Sequence, residues 1–326
     1  MFPFAQFIQR AILQGTPLLF GSTGEIITEK SGNLNLGIPG IMYVGGISGV
    51  IGGFLYQSNV KTVVPALAIL IPLVSCLIGS LLASLIYGLL TITLRANQNV
   101  TGLALTTFGV GVGNFFGGSL IKITGSDVPY LALTKIAKVY KTAIPGADKL
   151  GWFGTIFLSY GFMVYLAVAI AIVASIVLKR TRVGLYLRAV GESPATADAA
   201  GINVTAYKYI STCIGGMIAG LGGLYYVMDY TNGIWSNNGF GDRGWLAIAL
   251  VIFAIWKPVV GILGSYLFGG LYILFNYTSV SMQMLPIIQM APYVVTIIVL
   301  IITSMRKKRE YQPPASLGLS YFREDR

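Results

Sequence analysis

The chain reads as an all-α protein, a polytopic transmembrane helix bundle of about nine spans (roughly 8–10). Two observations carry that reading. Of the 326 residues, 55% are hydrophobic and only 10% charged, whereas a water-facing domain carries about a quarter charged residues. Too few charges remain to cover a surface in water, so most of the surface faces lipid. The sequence also repeats runs of about 20 apolar residues, the helix length that crosses roughly 30 Å of hydrocarbon.

Taken in order, Ile12–Ile27 is the first span, behind a short amphipathic lead containing Arg10. Met1 to Phe7 has no basic leader and no small-residue cleavage site, so the first apolar stretch is expected to be retained. Leu36–Tyr56 is the second span. Val63–Leu94 is long enough to tilt or to run past the bilayer, and Val100–Ile121 is the fourth. A polar outer loop, 122–152, precedes Phe153–Leu178. A second polar loop, 179–208, leads to Thr205–Met228. Val259–Phe275 and Ile287–Ser304 complete the pattern, together with Trp245–Ile255, which is so short that it must extend into its flanks or be a broken segment. The whole of 1–305 forms one membrane domain, and 306–326 is a tail that starts basic and becomes Pro- and aromatic-containing.

The net charge of +11 would suggest nucleic acid in a soluble protein. Here the basic residues cluster at the ends of apolar runs, which expresses topology and not polyanion binding. With the C-terminus in the cytoplasm, 14 of the 22 Lys and Arg residues fall inside, and an odd span count then leaves the N-terminus outside. Within the outer loop, Ile136, Val139 and Tyr140 share one helical face and Lys135, Lys138 and Lys141 another. That pattern reads as a short interfacial amphipathic helix, with a solvated loop resting on lipid headgroups and a docking surface for a soluble partner as equal alternatives.

The chain has no histidine and only two cysteines, Cys76 and Cys213, each inside an apolar run. Metal and redox chemistry lose their commonest ligands, no metal site is expected, and no nucleophile has a visible base. Glycines cluster within spans, at Gly45, Gly46, Gly49, Gly52 and Gly53, at Gly109 to Gly118, and at Gly215 to Gly223. Small residues let helix backbones approach where lipid supplies no hydrophobic drive to associate.

Two polar constellations stand out. The first runs from Gly24 to Gly40, linking the first two spans through Glu25, Glu29, Asn33, Asn35 and Pro39. An ionisable group within a span is costly and faces protein or water. Gly37, Pro39 and Gly40 suggest a break in the second helix, tolerated at depth only when buried or lining a cavity. Glu25, Asn33, Asn35, Asn99, Thr101 and Thr106 are therefore candidates for a polar translocation path. Each reads equally well as a satisfied helix–helix hydrogen bond. The second is the loop 179–208. There Ser193 is placed to cap a compact helix, Pro194 suits its first turn and Gly201 ends it. A short alanine-rich helix has nothing to bury within its own loop, so its surface either serves a groove on another protein or covers the base of the bundle.

At this loop the stretch Arg188-Ala189-Val190-Gly191-Glu192-Ser193-Pro194, continuing to Ala200-Gly201-Ile202, resembles the coupling loop of ATP-binding-cassette importer permeases of the simple-sugar, nucleoside and branched-chain amino acid group. Glu29 to Ile38 is similar to that group's segment ahead of its second span, and Asn99 to Thr106 to its fourth-span start. Gly241 to Leu250 with Trp256-Lys257-Pro258 is similar to its late signature. The resemblance covers about Gly15 to Ser304 and is closest to nucleoside uptake permeases. Two departures stand in it: Ser193-Pro194-Ala195 replaces a frequent Asn-Pro-Arg, and Pro39 replaces a usual acidic residue.

The resemblance implies a permease subunit of the plasma (inner) membrane that carries a small polar solute, a nucleoside first and a monosaccharide or branched-chain amino acid as alternatives. It implies no enzyme activity and no cofactor on this chain, with ATP and Mg on a cytoplasmic ATP-binding subunit. The sequence agrees, having no glycine-rich loop ending in Gly-Lys-Ser/Thr. The other implied partners are an extracytoplasmic substrate-binding protein and a second homologous permease in a heterodimer, all in membrane lipid. Coupling to the ATPase falls to Arg188, Gly191, Glu192, Ser193, Pro194, Ala197, Asp198, Ala200 and Gly201. A different class, an ion-coupled secondary transporter, would need an embedded carboxylate relay, for which Glu25 alone qualifies.

Overall fold

In the computed structural model, residues 4–123, 130–143, 151–277, 282–305 and 312–322 are described. They form fourteen α-helices: α1 (Phe4–Glu29), α2 (Ile38–Asn59), α3 (Pro65–Gly88), α4 (Gln98–Ile123), α5 (Thr134–Tyr140), α6 (Gly151–Phe157), α7 (Phe162–Arg180), α8 (Arg182–Glu192), α9 (Pro194–Ala199), α10 (Val204–Tyr225), α11 (Arg243–Phe253), α12 (Pro258–Ile273), α13 (Leu285–Gln289) and α14 (Ala291–Met305). One two-residue antiparallel pair, β1 (Leu131–Ala132) with β2 (Ile234–Trp235), is the only sheet among them. Six of the described helical segments are long and apolar enough to cross a membrane, the third and the tenth helices being extended by π-turns over Leu89–Thr93 and Tyr226–Tyr230. The chain is a polytopic helical membrane protein.

The bundle is built around α1, which packs against α10, α11 and α12, while α2 packs against α3, α4 and α10. Glycine sets these crossings. A Cβ on Gly223 would lie 1.9 Å from the Met42 carbonyl oxygen, and one on Gly24 would lie 2.2 Å from that of Gly215. Any side chain there would hold the backbones apart, so the clusters foreseen in α2 and α10 serve close approach. In α4 the same holds at Gly109, which faces Gly40, but Gly111 opens onto empty space.

Three sequence expectations are corrected. The stretch Phe153–Leu178 is two helices, with residues 158–161 non-helical between them; at Gly161 a Cβ would lie 2.3 Å from both the Tyr140 carbonyl and the Asp229 carboxylate. Pro39 does not break the second span. It occupies the first turn of α2, where its missing N–H costs nothing. The 287–304 stretch divides at Met290, since Pro292 lacks the N–H that would carry α13 onward. The outer amphipathic helix forms as α5, and its apolar face packs on the bundle: Ile136 and Tyr140 are buried, and Tyr140 Oη donates to the Ile69 carbonyl at 2.8 Å. Residues 124–129 and 144–150 of the outer loop, and the basic cluster Arg306–Arg309 of the tail, lie outside the described residues.

The short span at Trp245 stays short. Helix α11 ends at Phe253, and Ile255 and Trp256 both take left-handed backbone conformations, φ 54° and 51°. A bulky pair held there stores strain and re-aims the chain. It turns the Trp256 indole onto the buried Glu29 carboxylate, to which Nε1 donates.

Candidate functional site

The loop after α7 is folded by its own caps. Thr181 Oγ1 accepts from Gly184 N at 3.1 Å to start α8, and Ser193 Oγ accepts from Thr196 N at 3.4 Å to start α9, with Pro194 in the first turn. Gly201 stops the helix with φ +81°, and Asn203 caps α10 through Ala206 N at 2.9 Å. Contrary to expectation, the short helix does bury something within its loop. Ala197 packs with Val190 and Val204, with Ile202, Tyr207 and Tyr321 against them. The exposed face is therefore made by Arg188, Glu192, Ala195, Thr196, Ala199 and Ala200. Of the residues assigned to coupling, Arg188, Glu192, Ala200 and Gly201 are exposed. Ser193, Pro194 and Asp198 are half-buried, and Gly191 and Ala197 point inward. Ala195, Thr196 and Ala199 were not singled out in the sequence, where nothing distinguishes the outer face of so short a helix.

Gly191 is a junction. A Cβ there would lie 2.3 Å from the Lys30 carbonyl oxygen, so α8 seats directly on the end of α1. The Gly191 carbonyl accepts from Ser316 N at 3.0 Å and from Ser316 Oγ at 2.7 Å. The tail 312–322 is thus a strap. Gly318 N donates to the Gly32 carbonyl at 3.1 Å, Tyr321 Oη to Asp198 Oδ2 at 2.8 Å, and the Arg95 guanidinium lies 4.5 Å from the Phe322 ring centre. These bonds join residues far apart in sequence, mostly through backbone, which no composition signal reveals.

Behind the junction lies the segment 31–37, non-helical, buried and held by polar side chains. Glu25 Oε1 accepts from Asn35 N at 2.8 Å, and Asn35 Oδ1 accepts from Gly37 N at 2.9 Å. Asn33 Nδ2 donates to Thr212 Oγ1 at 3.2 Å, and Thr106 Oγ1 donates to the Leu36 carbonyl at 2.8 Å. Gln98 Oε1 accepts from Leu34 N at 2.7 Å, and Tyr87 Oη donates to the Leu34 carbonyl. Hydrogen bonds bring four of the six path candidates, Glu25, Asn33, Asn35 and Thr106, to one segment, and Thr101 is buried on the same helix as Thr106. Asn99 is exposed and stays outside. Glu25 Oε2, Asn33 Oδ1 and Asn35 Nδ2 are buried without a hydrogen-bond partner. Such groups are costly unless something else engages them in another state of the protein. Tyr87, Gln98 and Thr212 belong to the same cluster; Tyr87 and Thr212 sit within apolar runs and Gln98 at the polar start of α4, where their spacing carries no sign of convergence.

Lipid-facing helices around a buried polar cluster, with a prefolded loop bolted to that cluster at one end, make the membrane component of a transport system. The chain belongs to the family described as branched-chain amino acid transport system / permease component, which matches residues 7–304. It is similar to the nucleoside ABC transporter permease protein NupC of Lactococcus lactis, 33% identical over 313 residues and covering 90% of each chain. It is 31% identical over 307 residues, again 90% of each chain, to the guanosine ABC transporter permease protein NupQ of Bacillus subtilis. A putative glucose ABC transporter permease protein of Haloferax volcanii, TsgC13, is 33% identical over 267 residues, 82% of this chain and 76% of the relative.

Proposed function

We propose that the chain is the membrane-spanning subunit of an ATP-driven importer in the plasma membrane, carrying nucleosides inward. The observation that carries the transport mechanism is the seating of α8 on α1 at Gly191, because it links an exposed loop to the buried polar segment 31–37. Closure of a separate ATP-binding subunit pushes on the exposed face of α8 and α9. The push passes through Gly191 and Lys30 into the segment held by Glu25, Asn35 and Thr106, where rearrangement frees polar groups for the solute. The C-terminus and loop 179–208 lie on the ATP side, and ATP and Mg stay on the partner. A substrate-binding protein delivers solute from the outer side, and a second homologous permease completes the pathway as a heterodimer.

The nucleoside assignment rests on the similarity to NupC and NupQ. The likeness to TsgC13 favours a monosaccharide as the second reading. The test is uptake of labelled guanosine, uridine, glucose and leucine by the complex reconstituted in liposomes, with and without its ATP-binding subunit. ATP-dependent nucleoside uptake that glucose does not compete away is the expected result. Glucose uptake without nucleoside uptake moves the assignment to sugars, and uptake without any ATP-binding subunit refutes the mechanism.

A further inference from the structure

The end of the bundle that carries loop 179–208 holds a cavity of about 330 Å³. Among the described residues, four cationic side chains line it, Lys30, Lys179, Arg188 and Lys257, against one carboxylate, Glu192. They arrive from four places: the turn after α1, the last turn of α7, α8, and the linker between α11 and α12. A second carboxylate close enough to act on Lys30, that of Glu29, is engaged by the Trp256 indole. The Lys30 ammonium is pushed below the ordinary lysine range, first by burial; Glu192 opposes the shift, and Arg188 and Lys257 add like-charge repulsion. Like charges gathered from separate elements repel one another and favour a bound counter-anion.

The position specifies which anion. Lys179 stands in the last turn of one membrane-crossing helix and Pro258 in the first turn of another, so the cavity lies where the spans leave the hydrocarbon. Its wall is apolar, made by the buried Leu178, Trp256 and Pro258. Beside it, Ile172 and Ile176 on α7 and Val259 and Leu263 on α12 are exposed where lipid would lie. A cationic hollow over an apolar wall at headgroup depth, with a tryptophan at its base, matches a phosphate-bearing headgroup continuous with acyl chains. The positive end of the α12 dipole adds to the same field.

We propose that this cavity binds the headgroup phosphate of an anionic phospholipid, whose acyl chains lie along the exposed faces of α7 and α12. The site requires only that the bundle crosses a bilayer and is independent of the solute carried. Bound there, the lipid bridges α8 to the ends of α1, α7 and α12 and steadies the loop that meets the ATP-binding subunit.

The test is native mass spectrometry of the full chain titrated with phosphatidylglycerol and, in parallel, phosphatidylcholine. Wild type is expected to retain phosphatidylglycerol with a preference of roughly tenfold. The K179Q/K257Q variant should lose that preference, and K179R/K257R should keep it. Inorganic phosphate at millimolar concentration is the second arm. If it raises the melting temperature of wild type as far as phosphatidylglycerol does, and the lipid adds nothing further, the ligand is a soluble phosphate and the lipid assignment fails. Equal retention of the two lipids by wild type overturns the site, as does a preference unchanged in K179Q/K257Q. Loss of ATP-binding-subunit association in K179Q/K257Q with lipid retention intact also overturns it, and makes the hollow a protein contact.

Discussion

Gly191→Ala tests the junction through which, on the proposed mechanism, movement is passed inward. The added methyl would sit 2.3 Å from the Lys30 carbonyl oxygen, against about 3.4 Å for an ordinary contact, so two backbone segments must part by about 1 Å. Neither is a flexible side chain that can step aside. Overpacking of this kind costs about 1–3 kcal/mol. The displaced Gly191 carbonyl also loses its two bonds from Ser316, each worth about 0.5–1.5 kcal/mol. Together the seated loop is disfavoured by about 2–6 kcal/mol, more than tenfold in population. The exposed face is untouched, so the ATP-binding subunit still associates. Uptake by the reconstituted complex falls at least about tenfold, and substrate no longer stimulates ATP hydrolysis. Gly111→Ala in α4, where nothing lies within 4 Å, is the control and leaves both activities unchanged. Gly191→Ala complexes that take up solute at the wild-type rate, with normal stimulation, refute the reasoning.

Three further outcomes follow from the same structure. Tyr321→Phe removes the 2.8 Å bond to Asp198, worth about 1–2 kcal/mol; hydrogen exchange across 188–201 should accelerate several-fold while the spans stay protected. Trp256→Phe leaves the buried Glu29 carboxylate without its indole donor, and thermal unfolding should show a loss of about 2–3 kcal/mol. Gly223→Ala forces α10 off the Met42 carbonyl, costing about 3 kcal/mol or more, whereas Gly118→Ala, whose nearest neighbour is 3.8 Å away, should melt as wild type does.

Local chemistry made the loop readable from sequence. Ser193, Pro194 and Gly201 act within a few residues of themselves, so their cap, first turn and stop could be placed before any packing was known. The spans were readable for the same kind of reason, since lipid demands a continuous apolar length. What remained hidden is set by tertiary contact. At Gly161 the approach of Tyr140 and Asp229, from other elements, leaves no room for a side chain. Asn99 and Thr101 stand two residues apart on one helix, one exposed and one buried. Ala197 looked like a contact for a partner because alanine signals neither burial nor exposure, and only Val190 and Val204 closing over it decide the matter. The strap 312–322 is fixed mainly by backbone groups, which every sequence has.

The central claim is that the exposed face of α8 and α9 lies on the ATP side and is pressed by a separate ATPase. Ala195 is exposed on that face, so an Ala195→Cys substitution in a Cys76→Ala, Cys213→Ala background reports on it directly. A membrane-impermeant maleimide should label this cysteine only from the cytoplasmic side, and addition of the ATP-binding subunit should protect it. Labelling from the outer side, or labelling that the subunit leaves unchanged, contradicts the account.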